Sequence, residues 1–270
     1  MEQLYQDFPN DVRIVFRHYP LIGTPEEPFH DKAAITAQAA EAAGRQDKFW
    51  EMHDVILAKQ AEWVNMTPDE FQSWVVERAE ELSLDTETFI TDMQDPEIVA
   101  KIQEAWEHGQ LIQIPGTPFL LVNGNPWPNS VPMDYWSIAA VTKLTLLEKQ
   151  QFTTCPPMSI DPTKLYKATL HTDLGDVVLE LFADKAPIAV NSFIFLAQNG
   201  WFDNVTFHRV IPGFVAQAGD PTGTGFGGPG YAFINETIPE LKFDRPGLLA
   251  MANDPGRSNF NSGMVSLMKA

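Results

Sequence analysis

Apolar residues recur every three to four positions through most of the first 149 residues and every second position through much of the rest, so a helical region precedes a strand-rich one. The longer period predicts helices over residues 31–43, 49–59, 68–82, 96–107 and 133–148. Two of their starts are spelled out. Thr67-Pro68-Asp69-Glu70 offers a capping hydroxyl, a proline at the first helical position and a glutamate three residues after the cap, and Asp95-Pro96-Glu97 repeats the cap and proline. In the same region, residues 12–17 (VRIVFR) alternate as a strand, and residues 118–122 (PFLLV) form a short strand closed by Asn123-Gly124. Further on, residues 166–171 and 176–182 alternate across the turn Thr172-Asp173-Leu174-Gly175 and predict a hairpin. A helix over 187–198 follows, then short strands over 206–210, 213–218 and 247–252, with a glycine-rich loop at 219–230. Between the two patterns, QQFTTCPPMSIDPTK (150–164) carries prolines and small polar residues without an apolar period and reads as a linker. The expected organisation is therefore a mixed α/β domain over 1–149, a linker over 150–164 and a mainly β domain over 165–270.

Composition narrows the function. The 270 residues are 44% hydrophobic and 20% charged, enough apolar material for two cores, and no run is long enough to span a membrane as a helix. The opening MEQLYQDFPNDVR lacks the basic and apolar stretches of a signal peptide. Eighteen basic against 36 acidic residues give a formal charge of -18, concentrated in the first half, which disfavours nucleic acid as a partner. Cys155 is the single cysteine, so the sequence has neither an internal disulfide nor a C-x-x-C pair. His18, His30 and His53 are scattered without a metal-binding spacing, and neither a metal nor a cofactor is expected. Trp50, Trp63, Trp74 and Trp106 fall on predicted helices and read as packing residues.

The order of strand VRIVFRHYPL, alanine-rich helix, FWEMHD helix, helical excursion and IPGTPFLLVNG resembles the DsbA-type branch of the thioredoxin superfamily. The most specific piece is Pro115-Gly116-Thr117-Pro118. The resemblance implies a thioredoxin-like fold with a helical insertion, a cis bond between Thr117 and Pro118, and a loop there that docks extended peptide. It also implies a redox pair at the start of a helix, where the dipole lowers a thiol pKa. That segment is absent from this sequence, as though Met1 began inside or just after the redox helix, so thiol–disulfide oxidoreductase activity is the least favoured reading.

From residue 165 to 252 the chain resembles the cyclophilin family, most densely in Phe207-His208-Arg209-Val210-Ile211-Pro212-Gly213-Phe214-Val215-Ala216-Gln217-Ala218-Gly219-Asp220. The resemblance implies a β-barrel with helices plugging its ends and peptidyl-prolyl cis-trans isomerase activity. It assigns catalysis to Arg209, the proline floor to Phe207, Phe214 and Val215, and the substrate carbonyls to Gln217 and the backbone of Ala252 and Asn253. The glycine loop at 223–230, with Gly225, would receive the residue preceding proline, and His208 would be a hydrogen-bonded structural side chain. The chemistry suits these residue types: twisting a peptide bond breaks its resonance, against a barrier of about 18–20 kcal/mol, and localises a lone pair on the prolyl nitrogen. A guanidinium is a permanent donor for that lone pair, and its bond strengthens as the bond twists.

After Met251-Ala252-Asn253 the chain departs from the family, which continues into a strand beginning Gln-Phe-Phe, whereas this sequence reads DPGRSNFNSGMVSLMKA. The barrel is therefore expected to be incomplete, with either Met264 or Ser266 at a pocket position. The primary expectation is a folding isomerase acting on proline-containing peptides or unfolded proteins. A non-catalytic peptide-binding module is the alternative. Resemblance to such fusions implies an extracytoplasmic site of action.

Overall fold

A computed structural model describes residues 1–22, 29–254 and 257–268, with side chains described up to Asn253. The chain divides into two compact units, Ile14–Asn129 and Met1–Arg13 with Ser130–Ala270.

The unit Ile14–Asn129 is built on α2 (Ala33–Gly44), α3 (Phe49–Ala58), α4 (Gln60–Trp63), α5 (Pro68–Glu81), α6 (Thr86–Met93) and α7 (Pro96–Leu111). Helix α2 buries Ala37, Ala39, Ala40, Ala42 and Ala43, and these small side chains let neighbouring helices approach its backbone. Met52, Ile56, Phe71, Val75, Phe89, Met93, Ile98 and Ile102 complete the core. Trp63 and Trp74 are buried with their indole N–H groups donated to Ile56 O and Glu62 Oε2, as buried indoles require. Trp50 lies outside the buried core, 46% exposed, with its ring packed edge-on against those of Phe16, Phe49 and His53. The cap at Thr67 forms in full, with Glu70 N–H on Thr67 Oγ1 at 3.3 Å and Thr67 N–H on Glu70 Oε2 at 2.8 Å. Asp95 caps α7 through Glu97 N–H at 2.7 Å.

Strand structure in this unit is sparse. The expected strand over 118–122 contracts to β1 (Leu121–Val122), which turns through Asn123 and Gly124 onto β2 (Asn125–Pro126). Residues 12–17 form no strand. Their alternation survives as partial burial of Val12 and Ile14, but no described segment lies alongside to exchange backbone hydrogen bonds, and a strand is defined by its ladder. The bond between Thr117 and Pro118 is cis, as the family resemblance implies.

The second unit pairs α1 (Glu2–Asp7) with α8 (Tyr135–Leu147), where Tyr135 Oη donates to Asp7. Strands β3 (Tyr166–Thr172) and β4 (Gly175–Leu181) form the expected hairpin, and α9 runs Pro187–Gln198. The start of α9 is fastened by Glu236, whose carboxylate accepts the N–H groups of Ile188 and Ala189 at 3.0 and 2.8 Å. A second sheet holds β5 (Arg209–Ile211), β6 (Val215–Ala218), β7 (Phe233–Ile234), β8 (Leu248–Asp254) and β9 (Arg257–Met268). The long β9 runs between β6 on one side and β8 on the other, with Gln217 and Ala250 both opposite Ser266. Leu179, Leu181, Val190 and Phe193 form the core shared by the hairpin, α9 and Leu249 and Met251 of β8. The expected barrel is not closed: among the described residues β3 and β4 pair only with each other, so the hydrogen-bonded wall is interrupted between β4 and the second sheet.

A buried histidine beside a part-buried glutamate, itself paired with Lys101, gives this unit a pH signature. His18 Nε2 lies 3.0 Å from Glu41 Oε1, and burial lowers the imidazole pKa below its usual value despite that carboxylate. As pH falls below about 6.5 the unfolded chain therefore takes up this proton before the folded one, and stability is lost toward lower pH. The melting temperature of the helical unit should fall between about pH 7.5 and 5.5, and less steeply in His18→Gln; equal slopes in scanning calorimetry would contradict this.

Candidate functional site

The site is built on the tight hairpin from β5 to β6. Arg209 stands opposite Gln217, Val210 opposite Ala216 and Ile211 opposite Val215. Pro212, Gly213 and Phe214 make the turn; Gly213 has φ +77, a conformation open to glycine, and Phe214 N–H closes onto Ile211 O at 3.0 Å. This register fixes the chemistry. Arg209 Nη1 donates to Gln217 Oε1 at 3.3 Å, and its guanidinium carbon sits 5.9 Å from the centroid of the Phe214 ring, which is 48% exposed. Among the described residues no carboxylate pairs with Arg209, whose side chain is exposed beside an accessible aromatic ring. Val215 is buried beside the turn, and Phe207 is exposed on the approach to β5.

The glycine loop flanks this approach. A Cβ placed on Gly225 (φ +82) would lie 3.4 Å from His208 Cδ2, and one on Gly223 would lie 3.2 Å from Thr206 Oγ1, so the loop packs directly on the segment leading into Arg209. The loop's shape is imposed by Asp220, fully buried, whose carboxylate accepts from Thr222 N–H (2.8 Å), Thr222 Oγ1 (2.7 Å), Thr224 Oγ1 (3.1 Å), Gly225 N–H (2.7 Å) and Gly227 N–H (3.1 Å). Burial pushes this carboxyl upward, but the Thr222, Gly227 and Gly225 donors outweigh it and hold the group below the usual aspartate value. Sequence reasoning assigns Asp220 no role of its own. Its signal lies in Asp220-Pro221-Thr222-Gly223-Thr224, an aspartate followed at two and four residues by hydroxyls, the pattern of a side chain that organises its own turn.

The structure thus brings Arg209, Phe214 and Gln217 together and sets Gly225 against their approach. Ala252 and Asn253 lie on β8, beyond β9 from β6, at an irregularity in the β8–β9 register. The side chains of Met264 and Ser266 lie outside the described residues, although the backbone of Ser266 stands opposite Gln217. His208 departs from the expectation of a hydrogen-bonded side chain: both ring nitrogens are buried without a hydrogen-bond partner among the described residues, with Gly225 packed against the ring. Thr117 and Pro118 belong to the other unit, and both are exposed.

Residues 167–263 match the family described as cyclophilin type peptidyl-prolyl cis-trans isomerase, and residues 1–137, half the chain, match the DSBA-like thioredoxin domain. Peptidyl-prolyl cis-trans isomerase A of Mycobacterium tuberculosis is 42% identical over 130 residues, covering 43% of this chain and 71% of the relative. A probable peptidyl-prolyl cis-trans isomerase A of Mycobacterium leprae is 50% identical over 101 residues, covering 32% of this chain and 56% of the relative. A crystal structure of a Cryptosporidium parvum cyclophilin type isomerase, obtained in the presence of the dipeptide Ala-Pro, is 39% identical, covers 39% of this chain and 68% of that one, and has a TM-score of 0.37. By the family models and the sequence identity to these relatives the chain belongs to the cyclophilin type peptidyl-prolyl cis-trans isomerase family through its second half and to the DSBA-like thioredoxin family through its first.

Proposed function

We propose that this chain accelerates cis-trans isomerisation of X-Pro bonds in peptides and unfolded proteins, with Arg209 as the catalytic residue. The observation that carries the reading is the Arg209–Gln217–Phe214 cluster: a guanidinium fixed by a neutral amide and leaning over an open aromatic ring. A proline ring seated on Phe214, Val215 and Phe207 brings its nitrogen beneath the free Arg209 donors. Gln217 and the backbone of Ala252 and Asn253 hold the flanking carbonyls, and the loop with Gly225 receives the preceding residue. The ground-state amide nitrogen is a poor acceptor because its lone pair is delocalised. At the twisted geometry that lone pair is localised, and the Arg209 bond reaches full strength only there. Neither nucleophile nor proton transfer enters, since the covalent bonds of substrate and product are the same. The guanidinium stays charged throughout and needs no base to reset it.

The domain assignment goes with this reading: a thioredoxin-like domain over 1–149 without redox cysteines, a connecting segment over 150–164, and over 165–270 a cyclophilin-like barrel left open between its two sheets. Thr117 and Pro118 are the peptide-docking loop of the first domain. Dithiol chemistry is not proposed, because Cys155 is the sequence's single cysteine. The extracytoplasmic site of action remains part of the proposal through family resemblance.

Arg209→Ala should lower kcat/KM for a proline tetrapeptide about 100-fold, the typical cost of removing one preorganised donor, with kcat carrying the loss. Arg209→Lys should recover only part of it, since an ammonium cannot keep the planar contact with Gln217 and aim a second donor. A protease-coupled or NMR exchange assay reads both. Acceleration that survives Arg209→Ala would contradict the assignment, and saturable peptide binding without acceleration in the unmodified chain would favour a peptide-binding module.

A further inference from the structure

The segment between α8 and β3 carries no regular element beyond the 3-10 turn Glu148–Gln150, yet it is fastened to the glycine loop. Gln151 Nε2 donates to Gly228 O at 2.8 Å, Phe152 N–H donates to Pro229 O at 2.8 Å, and Cys155 Sγ donates to Ala232 O at 3.4 Å. Each pair is separated by the same 77 residues, so the two stretches run parallel in one register. The fit is close. A Cβ on Gly230 would fall 2.4 Å from Phe152 O, and one on Gly227 would fall 3.0 Å from Leu147 Cδ2 and 2.1 Å from Asp220 Oδ1. The strap is itself anchored: Leu147 is buried with Leu196 and Trp201, and the Phe152 ring meets Phe195 edge-on at 4.8 Å. The loop is therefore held by two sets of contacts, those of Asp220 and those of residues 147–155. The strap precedes the residues matched to the isomerase family, which begin at 167.

We propose that residues 147–155 form part of the isomerase site, with Gln151 and Phe152 as positioning residues that set the glycine loop for the substrate residue preceding proline. The inference rests on reading the Arg209 hairpin as an isomerase site. Gln151 fixes the carbonyl of Gly228, three residues past Gly225, and Phe152 fixes the next peptide. With those carbonyls released, Gly227 to Gly230 lose the strap's hold, while Arg209, Gln217 and Phe214 stay joined through the β5–β6 register. The strap therefore governs how tightly the preceding residue is held, whereas the hairpin governs how fast the bond turns.

The test uses the full chain and a proline tetrapeptide. Gln151 is exposed, and Gln151→Met keeps its size while removing the donor; Gln151→Lys keeps a donor. Gln151→Met should raise KM about fivefold, the worth of one ordinary hydrogen bond, with kcat within about twofold of the unmodified chain, and should speed amide exchange across 225–232. Gln151→Lys should restore both. An unchanged KM in Gln151→Met overturns the proposal, as does faster exchange without a change in KM, because the strap would then support a loop that the substrate does not use. If the unmodified chain turns no substrate over, the isomerase reading fails by itself, and the peptide's Kd replaces KM: a rise of about fivefold in Gln151→Met, reversed in Gln151→Lys, supports the strap's role in positioning, and an equal Kd overturns it.

Discussion

A buried carboxylate must be surrounded by donors or it will not stay charged, and Asp220 meets that demand by drawing two threonine hydroxyls and three backbone N–H groups onto its two oxygens. The backbone that supplies those donors has no freedom left to be a flexible glycine linker. Gly223 and Gly225 are pinned at positive φ beside Thr206 and His208, and that packing fixes one edge of the approach to Arg209. The glycines serve close approach here: at Gly227 a methyl group would collide with the carboxylate itself. Trp201 adds a further tie, its indole N–H held by Gly219 O at 2.9 Å. The packing of the loop on the segment leading into Arg209 thus follows from satisfying one charge a short distance along the chain.

How much of this is legible in the sequence depends on whether the signal is local. Helix α9 begins and ends where Pro187 and the apolar period place it, and the β3–β4 hairpin follows its alternation, because period and turn chemistry are both contained in the segment. The caps at Thr67 and Asp95 are equally local. Residues 12–17 have the right alternation and no ladder, since alternation reports which face is apolar and says nothing about a partner strand. The segment 150–164 reads as a linker by composition, but what holds it is a set of carbonyls 77 residues away, invisible to any window. His208 fails in the same manner: burial and partners are properties of the assembled neighbourhood.

The candidate site divides along the same line. Arg209, Phe214 and Gln217 can be named from sequence because the motif that contains them is nearly contiguous and the hairpin closes over a few residues. Asp220 and the strap escape such a reading because their contribution is to shape a backbone rather than to touch a substrate. The two halves of the chain show the contrast in bulk. The helical unit rests on alanine-to-helix packing around Met52, Phe71 and Phe89 and carries most of the acidic excess, while the second unit buries Asp220 and Thr222 in one loop and Asn191 and Ser192 on α9.

The most direct measurement is the isomerase kcat/KM of Asp220→Asn in the full chain, alongside its near-ultraviolet circular dichroism. The amide keeps the side chain's size but turns an NH2 group toward donors that need an acceptor. The account predicts a retained fold and a fall of about tenfold or more, because one buried donor left unpaired costs roughly 1–3 kcal/mol and the loop must relax away from the approach to Arg209. A variant that folds and turns over peptide at the unmodified rate would show that the loop's shape does not matter to the site, and would contradict the account.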